Sequence, residues 1–229
     1  MAPRTGHLDT CSEERLVELI ATAVGTPSLR PAIERVSTFS FAAQIAERYR
    51  DGRCFLAGDA AHRMTPRAGT GMNTAIQDAY DLAWKLAWLL HGWAGPELLD
   101  SFETERRPVG LHNVTRSADP NGAEKQADEA LAWDLNGRLP HQDGAALSTL
   151  DLLAEGLTLL TGPDELGSRN TWQLNPSAPL TMHTLDAATA AKLDIPPRGG
   201  LLLRPDGQEL LRASTPDTPL PIPSWLRSA

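Results

Sequence analysis

The sequence has few cysteines and no long apolar run. Two cysteines, Cys11 and Cys54, stand far apart among 229 residues and form no Cys-x-x-Cys pair. A disulfide framework is therefore excluded, and a reducing compartment is indicated. The longest apolar stretch, residues 83–90, contains a lysine and is too short to span a bilayer. Residues 1–10 are polar and lack the apolar segment of a signal peptide. We expect a cytoplasmic protein with no membrane partner.

An excess of positive charge is also absent. The chain has 21 Lys and Arg residues against 29 Asp and Glu residues, which sets its formal net charge at -8. Such a chain repels polyanions, so nucleic acid is excluded as the main partner. Hydrophobic residues make up 41% and charged residues 22%, as is ordinary for a globular protein. The length allows one large domain or two modest ones.

The first half of the chain shows strand and helix patterns. β-Branched and aromatic residues between 33 and 43 predict a strand, and residues 53–57 predict a short buried strand that ends at Gly58. A period of 3.6 residues predicts a long helix from Met72 to His91, closed by Gly92. The predicted apolar face of this helix consists of Ile76, Ala79, Ala83, Leu86, Ala87 and Leu90. We expect Trp84 and Trp88 to form a packing stripe and Lys85 to be solvated.

The pattern of the C-terminal part, residues 137–229, predicts a second α/β module. A polar stretch rich in small residues, 119–136, predicts a linker. Residues 148–161 predict a short turn followed by a strand, and residues 186–193 predict a short alanine-rich helix. Residues 201–211 predict a hairpin about the Pro205-Asp206-Gly207 turn.

Residues 54–73 contain the most informative motif. A strand ends at a glycine and Asp59, a glycine-bearing loop follows, and the long helix begins directly afterwards. An acid at the end of a strand is well placed to accept hydrogen bonds from a polyol or a ribose. Gly69 and Gly71 permit close approach of a flat ligand, and free N–H groups near Met72 and Asn73 favour negative charge on it. A Gly-x-Gly pair alone is equally compatible with a structural role, so the whole string carries the argument.

The string resembles the class A flavoprotein monooxygenases, the aromatic-ring hydroxylases of the p-hydroxybenzoate hydroxylase fold. Gly58-Asp59-Ala60-Ala61-His62 is similar to the second FAD motif of that family, and Gly69-x-Gly71-Met72-Asn73 to its flavin-contacting loop. The similarity extends over residues 39–116 and is closest to the branch that hydroxylates phenols and polyketide aromatics. Residues 137–229 resemble the thioredoxin-like C-terminal domain of that branch; without cysteines this domain would be redox-inert.

The resemblance implies a cofactor, a site and a fold. FAD would be bound with Asp59 at its ribityl chain, Pro66 against the isoalloxazine ring, and Gly69 in the loop beside it. The backbone N–H groups of Gly71, Met72 and Asn73 would face the pyrimidine edge. His62 would pack beneath the loop rather than act as a base, and no catalytic residue is assigned. The implied fold class is α/β (α+β), with part of an FAD-binding domain over residues 1–118 and a thioredoxin-like domain over residues 137–229.

The implied reaction is hydroxylation of a small aromatic or polyketide substrate, with NAD(P)H and O2 as co-substrates and a flavin C4a-hydroperoxide as the reactive species. Residues 1–50 contain no Gly-x-Gly-x-x-Gly turn, which cradles the FAD pyrophosphate in this family. We expect roughly a third or more of a complete enzyme to be missing from the sequence. A complementary N-terminal half or a homodimer is the expected protein partner. Two alternatives stay open: a non-catalytic scaffold or dimerisation module, and a flavin oxidoreductase that does not hydroxylate.

Overall fold

The computed structural model describes residues 11–37, 40–119, 121, 138–142, 148–164, 177–217 and 223–226. The chain divides into two compact units, residues 1–41 and residues 42–229. Most of the predicted linker, residues 120 and 122–136, lies outside the described residues, as does residue 137, where the tail domain is predicted to begin. Within the described parts, no helix combines the length and the apolar composition that crossing a membrane requires.

The first unit contains one helix, α1, over Glu13–Val24. Ser12 caps its N-terminus, since the Ser12 Oγ accepts a hydrogen bond from the Arg15 N–H at 3.3 Å. The strand predicted over residues 33–43 was wrong for every residue of that stretch that the structure describes, 33–37 and 40–43. β-Branched and aromatic residues form a strand only where a neighbouring strand pairs with them. No described strand pairs with this stretch.

The second unit contains all the strands of the described residues and three helices. In chain order its elements are β1 Gln44–Ile45, β2 Arg50–Asp51, β3 Cys54–Phe55, β4 His62–Arg63, α2 Gly71–Leu90, α3 Asp100–Ala118, β5 Leu157–Thr161, β6 Leu180–Thr184, α4 Ala187–Lys192, β7 Gly200–Leu203 and β8 Glu209–Ala213. β1 pairs with β4 and β2 pairs with β3, both antiparallel. The remaining strands form one sheet in the order β6-β5-β7-β8.

This four-stranded sheet is mixed, with one parallel and two antiparallel strand pairs. β5 and β6 are parallel, β7 runs antiparallel to β5, and β8 returns beside β7 as a hairpin. α4 connects β6 to β7, and the Asp186 carboxylate caps it by accepting the N–H groups of Ala188 and Thr189. Leucines of β5 and β7 fill two core clusters: Leu159 and Leu202 belong to one, and Leu160 and Leu201 belong to the other. The predicted strand, helix and hairpin are confirmed here, and so is the α/β class.

The helix α2 lies within one residue of its predicted bounds at each end, but its predicted apolar face is not the buried one. Its buried residues are mainly polar or aromatic: Thr74, Asp78, Asp81, Trp84, Lys85 and Trp88. On the predicted apolar face, Ile76 is 56% and Leu90 85% exposed. Ala79 and Ala83 are exposed as well, while Leu86 and Ala87 are half-buried. The period of apolar residues identifies an apolar face, but the neighbouring elements decide which face of the helix is buried.

Two further predictions on this side of the unit have different outcomes. The Trp84 and Trp88 rings pack edge to face at 5.1 Å, and Trp88 Nε1 donates to the Glu155 carbonyl at 2.9 Å, so their packing role is confirmed. The buried strand predicted over residues 53–57 was wrong in its burial: Cys54 is exposed and Leu56 is 39% exposed. Within the described residues, β3 pairs on one edge only, with β2, and its Phe55 ring packs edge to face on Phe102 of α3 at 6.0 Å, so a helix contacts one side of this strand while Cys54 and Leu56 stay open.

Candidate functional site

The candidate site begins at the turn formed by Gly58 and Asp59. Gly58 is buried and has a φ of 59°, in the left-handed region that glycine adopts without strain. A Cβ atom at this position would lie 3.2 Å from the Ala75 Cβ, so the turn packs directly on the second turn of α2. Asp59 is exposed and borders an open cleft of about 420 Å³, together with residues 44–46 and 60–63. The carboxylate is thus accessible to a ligand beside α2.

A buried carboxylate, Asp78 of α2, holds this turn in place. Its Oδ2 accepts the Gly58 N–H at 3.2 Å and contacts the His62 Nε2 at 2.6 Å, while its Oδ1 accepts from the Arg106 Nε at 2.9 Å. Asp78 and His62 are fully buried, and Arg106 is 4% exposed. His62 therefore packs beneath the loop, as expected. A carboxylate with this many donors fixes the relative positions of α2, α3 and the turn.

Asp78 and Arg106 were absent from the site predicted from sequence. Both stand in stretches that extend the family resemblance, Ile76-Gln77-Asp78-Ala79 and Glu105-Arg106-Arg107. The sequence feature that could have identified Asp78 is an acidic residue within a helix that is otherwise rich in apolar residues. Since buried charges occur almost only when paired, such an acid predicts a cationic partner, although it does not identify which one.

The loop between the turn and α2 contains the next predicted residues. Pro66 is exposed and begins a 3₁₀ turn, and Gly69 ends this turn with a φ of 65°. A Cβ on Gly69 would meet nothing within 4 Å, so the backbone there faces open space. The loop is tied to α3, because the Thr65 N–H donates to the Ser117 Oγ at 3.1 Å. This arrangement presents an accessible stretch of backbone that is fixed to α3.

The N-terminus of α2 lies at the end of this loop. Thr70 is its N-cap residue and makes no side-chain capping bond, and the Thr74 N–H donates to the Thr70 carbonyl at 2.9 Å. The N–H groups of Gly71, Met72 and Asn73 precede that bond, so they have no partner within the helix. Met72 is 72% exposed and Asn73 is exposed. An uncapped helix of 20 residues has a partial positive charge of about half an elementary charge at this end.

A second charged cluster lies further along α2 and connects it to the hairpin of the C-terminal sheet. Lys85 Nζ donates to the Asp81 Oδ2 at 2.7 Å and to the Glu105 Oε2 at 2.9 Å. Arg204 binds Glu105 with both terminal nitrogens, at 2.7 and 2.9 Å, and also binds Asp206 at 2.6 Å. Lys85 is fully buried, so its predicted solvation was wrong. The carboxylates of Asp81 and Glu105 neutralise the buried charge of Lys85.

The charges of this cluster shift the acid pKa values in opposite directions. Burial raises the pKa of Asp81, against the opposing charge of Lys85. Burial also acts to raise the pKa of Glu105, but hydrogen bonds and charge from Arg204, with the charge of Lys85, lower it to about 2. The Tyr80 hydroxyl adds a contact to the Pro205 carbonyl at 3.1 Å. Every charge here has a partner, so the cluster joins α2 and α3 to the β7–β8 turn rather than offering a reactive group.

The structure thus brings the predicted residues together in two adjacent parts. Asp59 lies at the turn that packs on α2, and Gly71, Met72 and Asn73 form the first turn of that helix. Pro66 and Gly69 lie in the loop between them. The site offers one accessible carboxylate, a free row of N–H donors and an open stretch of glycine-bearing backbone.

Comparison with known proteins places this geometry in a family. The family model for an FAD binding domain matches residues 1–117. A protein of Streptomyces halstedii, provisionally named a polyketide hydroxylase, is 34% identical over 93% of this chain and 50% of its own length. The tetracenomycin A2 monooxygenase-dioxygenase of Streptomyces glaucescens is 32% identical over 92% of this chain and 47% of its own length.

Among solved structures, the chain is similar to aklavinone-11 hydroxylase, determined as a ternary complex with FAD and aklavinone. The TM-score is 0.72 at 29% sequence identity, over 90% of this chain and 48% of that one. The chain therefore spans about half the length of the curated relatives that it matches. Because the matched family region includes the Gly58–Asn73 site and half of the sequence, this chain belongs to the FAD binding domain family.

Proposed function

We propose that this chain provides the flavin-contacting half of an FAD-dependent hydroxylase that acts on a small aromatic or polyketide substrate. The observation that carries the proposal is the uncapped N-terminus of α2 beside the exposed Asp59 turn. The relatives whose names refer to hydroxylation and monooxygenation support the reaction class. The aklavinone-11 hydroxylase complex supports both the cofactor and an aromatic substrate.

The groups at the site fit FAD chemically. The ribityl chain carries hydroxyl donors, which match a carboxylate acceptor such as Asp59. The pyrimidine edge of the flavin carries acceptor atoms and becomes negative on reduction, which matches the N–H groups of Gly71, Met72 and Asn73. These donors belong to a helix, so they need no rearrangement when the negative charge develops. The open backbone at Gly69 leaves room for a flat ring system.

In this proposal each residue of the site has a defined role. Asp59 would accept hydrogen bonds from the ribityl hydroxyls of bound FAD. Pro66 would lie against the isoalloxazine ring, and the first turn of α2 would stabilise negative charge at the pyrimidine edge. Bound FAD would supply the redox chemistry, with NAD(P)H as the reductant and dioxygen as the oxygen source. Asp78 acts through Gly58, because it holds the turn that presents Asp59.

The test of this proposal measures FAD affinity and thermal stability on the same variants. The chain is co-expressed with the part of the Streptomyces halstedii relative that it does not cover, so that a pyrophosphate site is present. Asp59→Ala is expected to weaken FAD binding by about ten- to over a hundredfold, since hydrogen bonds to a charged group contribute about 1.5–3 kcal/mol. Asp217→Ala removes one exposed acid beyond β8 and is the matched control, with unchanged affinity. A lowered thermal midpoint for Asp59→Ala with unchanged affinity would contradict the assignment.

The 229-residue chain alone is expected to bind FAD weakly or not at all. It contains the flavin-side residues but no Gly-x-Gly-x-x-Gly turn, and each charge-assisted phosphate contact contributes roughly 1.5–3 kcal/mol. Flavin titration followed by absorbance or fluorescence measures this directly, and sub-micromolar binding by the chain alone would refute the expectation. In the co-expressed complex, analysis of the product distinguishes hydroxylation from simple oxidation of NAD(P)H.

A further inference from the structure

A second cavity lies along α2, away from the loop that contains the candidate FAD residues. It has a volume of about 600 Å³ and is bounded by the second half of α2, residues 150–155 and Pro205. None of the candidate FAD residues lines it. Trp84, in its wall, follows Met72 by 12 residues, which places it about 18 Å further along the helix. The cavity is therefore separate from the site described above.

Aromatic side chains form much of the wall of this cavity. Trp84 and Trp88 pack edge to face at 5.1 Å. Trp93 packs edge to face on Trp88 at 6.3 Å, and the His91 ring stacks on Trp93 at 4.8 Å. Tyr80 completes the set. A cavity of this size with apolar and aromatic walls is typical of a small-molecule site, and a flat ring system fits it best because it stacks on such walls or meets them edge to face.

The indole N–H groups of Trp84 and Trp88 differ in their partners. Trp88 Nε1 donates to the Glu155 carbonyl at 2.9 Å, so the protein supplies its acceptor. Trp84 is 7% exposed, and its Nε1 is buried with no hydrogen-bond partner among the described residues. Buried indole N–H groups normally have an acceptor, because an unpaired one has lost its hydrogen bond to water without replacement. An oxygen atom of a ligand would supply the acceptor that Trp84 lacks.

Two cations hold the Trp84 ring in position. The Arg204 guanidinium carbon lies 5.1 Å and the Lys85 Nζ 5.6 Å from the ring centroid, within the range at which a cation is attracted to an indole. Both cations are themselves bound to carboxylates, Lys85 to Asp81 and Arg204 to Glu105. They therefore leave no free charge for an ionised ligand, which would lose its hydration without a counter-charge. The cavity favours an uncharged ligand.

We propose that this cavity, called the tryptophan cavity and formed around Tyr80, Trp84, Trp88, His91 and Trp93, is a second ligand site. It takes an uncharged planar aromatic molecule that carries a carbonyl or phenolic oxygen. The aromatic walls contact the ring system, and the ligand oxygen accepts a hydrogen bond from the Trp84 N–H. The inference goes beyond the proposed function, because FAD binding uses none of these residues.

The experiment records the indole N–H signals of the six tryptophans by proton–nitrogen correlation NMR while coumarin is added to the 229-residue chain without FAD. Coumarin is flat and uncharged, and it has a carbonyl acceptor but no donor. Trp84→Phe removes one signal and so assigns it. We expect saturable binding with a Kd below about 1 mM and a downfield shift of the Trp84 indole proton. Naphthalene has the same ring size but no oxygen, and it is expected to cause no downfield shift of this proton.

Ala87→Phe tests the cavity itself. Ala87 is half-buried in the cavity wall, so a phenyl ring there occupies part of the space, and coumarin is expected to bind at least about tenfold more weakly. Ala79→Phe is the matched control. It is the same substitution on the same helix, at an exposed position outside the cavity, and it is expected to change the affinity by less than about twofold. Trp84→Phe keeps a ring but removes the donor, so coumarin should bind about fivefold or more weakly.

Thermal midpoints show whether each variant is folded. If Ala87→Phe melts well below the wild-type chain, the wild-type titrations with coumarin and naphthalene decide the question. A wild-type chain that does not bind coumarin, or equal binding by Ala87→Phe and Ala79→Phe with unchanged midpoints, would overturn the site. Binding without a downfield shift of the Trp84 signal would overturn the role of its N–H group.

A last titration uses the chain co-expressed with the remaining part of the Streptomyces halstedii relative. We expect coumarin to bind this complex as it binds the chain alone. Loss of binding in the complex would show that polypeptide fills the tryptophan cavity, which would also overturn the proposal. Since no titration contains FAD, failure of the proposed flavin site would leave these results unchanged.

Discussion

Asp78 is the residue whose loss we expect to affect the site most through the fold. Its carboxylate accepts hydrogen bonds from the Gly58 N–H and the Arg106 Nε, and it contacts the His62 Nε2. The side chains of Asp78, His62 and Arg106 are each at most 4% exposed. Asp78→Asn keeps the shape of the side chain but removes the negative charge and one acceptor oxygen. Arg106 is then left as a buried cation without its partner.

The expected cost follows from this burial. Removing one partner of a buried ion pair destabilises a protein by about 3–5 kcal/mol, which is a large part of the about 5–15 kcal/mol that stabilises a typical protein. With a urea dependence of about 2–3 kcal/mol per M, the unfolding midpoint of Asp78→Asn is expected to fall by about 1–2.5 M. The slope itself is expected to stay constant, because the surface exposed on unfolding does not change.

Asp100→Asn is the matched control. Asp100 forms an ion pair with Arg50, but its side chain is 74% exposed, so the same substitution there is expected to cost at most about 1 kcal/mol. Urea unfolding of the two variants, followed by tryptophan fluorescence, compares an identical change in a buried and in an exposed pair. Equal costs at the two positions, or a cost below about 1 kcal/mol for Asp78→Asn, would refute the reasoning.

Two further predictions concern the interior of the second unit. The pKa of Glu105 is lowered to about 2, so its contribution to stability is complete above the unfolded-state value near 4.5 and is lost as the pH falls toward 2. The free energy of unfolding should therefore fall over this range, and the raised pKa of Asp81 should offset part of the fall. If the free energy of unfolding of a Glu105→Gln variant falls as steeply with pH, Glu105 is not the origin of the effect. A Cβ on Gly110 would lie 2.1 Å from the hydroxyl oxygen of Tyr49, so Gly110→Ala is expected to lower stability by about 1–3 kcal/mol; an unchanged thermal midpoint would show that the side chain moves aside freely.

Local chemistry explains which features the sequence predicted well. The glycines after β3, the strand-end acid and the start of α2 lie close together in the chain, so their relations depend on a few backbone dihedrals. The hairpin about Gly207 is local for the same reason, since residues within a turn supply both the bend and its hydrogen bonds. Family membership also follows from this local string, because about twenty positions together are specific where a single Gly-x-Gly is not.

Contacts between residues distant in the chain were decided only by the tertiary structure. The sequence predicts that Lys85 is solvated. In the structure it is buried and binds Asp81 on its own helix and Glu105 on α3, and Glu105 in turn binds Arg204 in the turn between β7 and β8. Asp78 likewise became part of the site only because Arg106, 28 residues away, neutralises it. A hydrophobic period shows that α2 has an apolar side, but the free energy of burying either side depends on the partner that covers it. Paired charges made the polar side of α2 the buried one in this unit, and no local pattern contains that information.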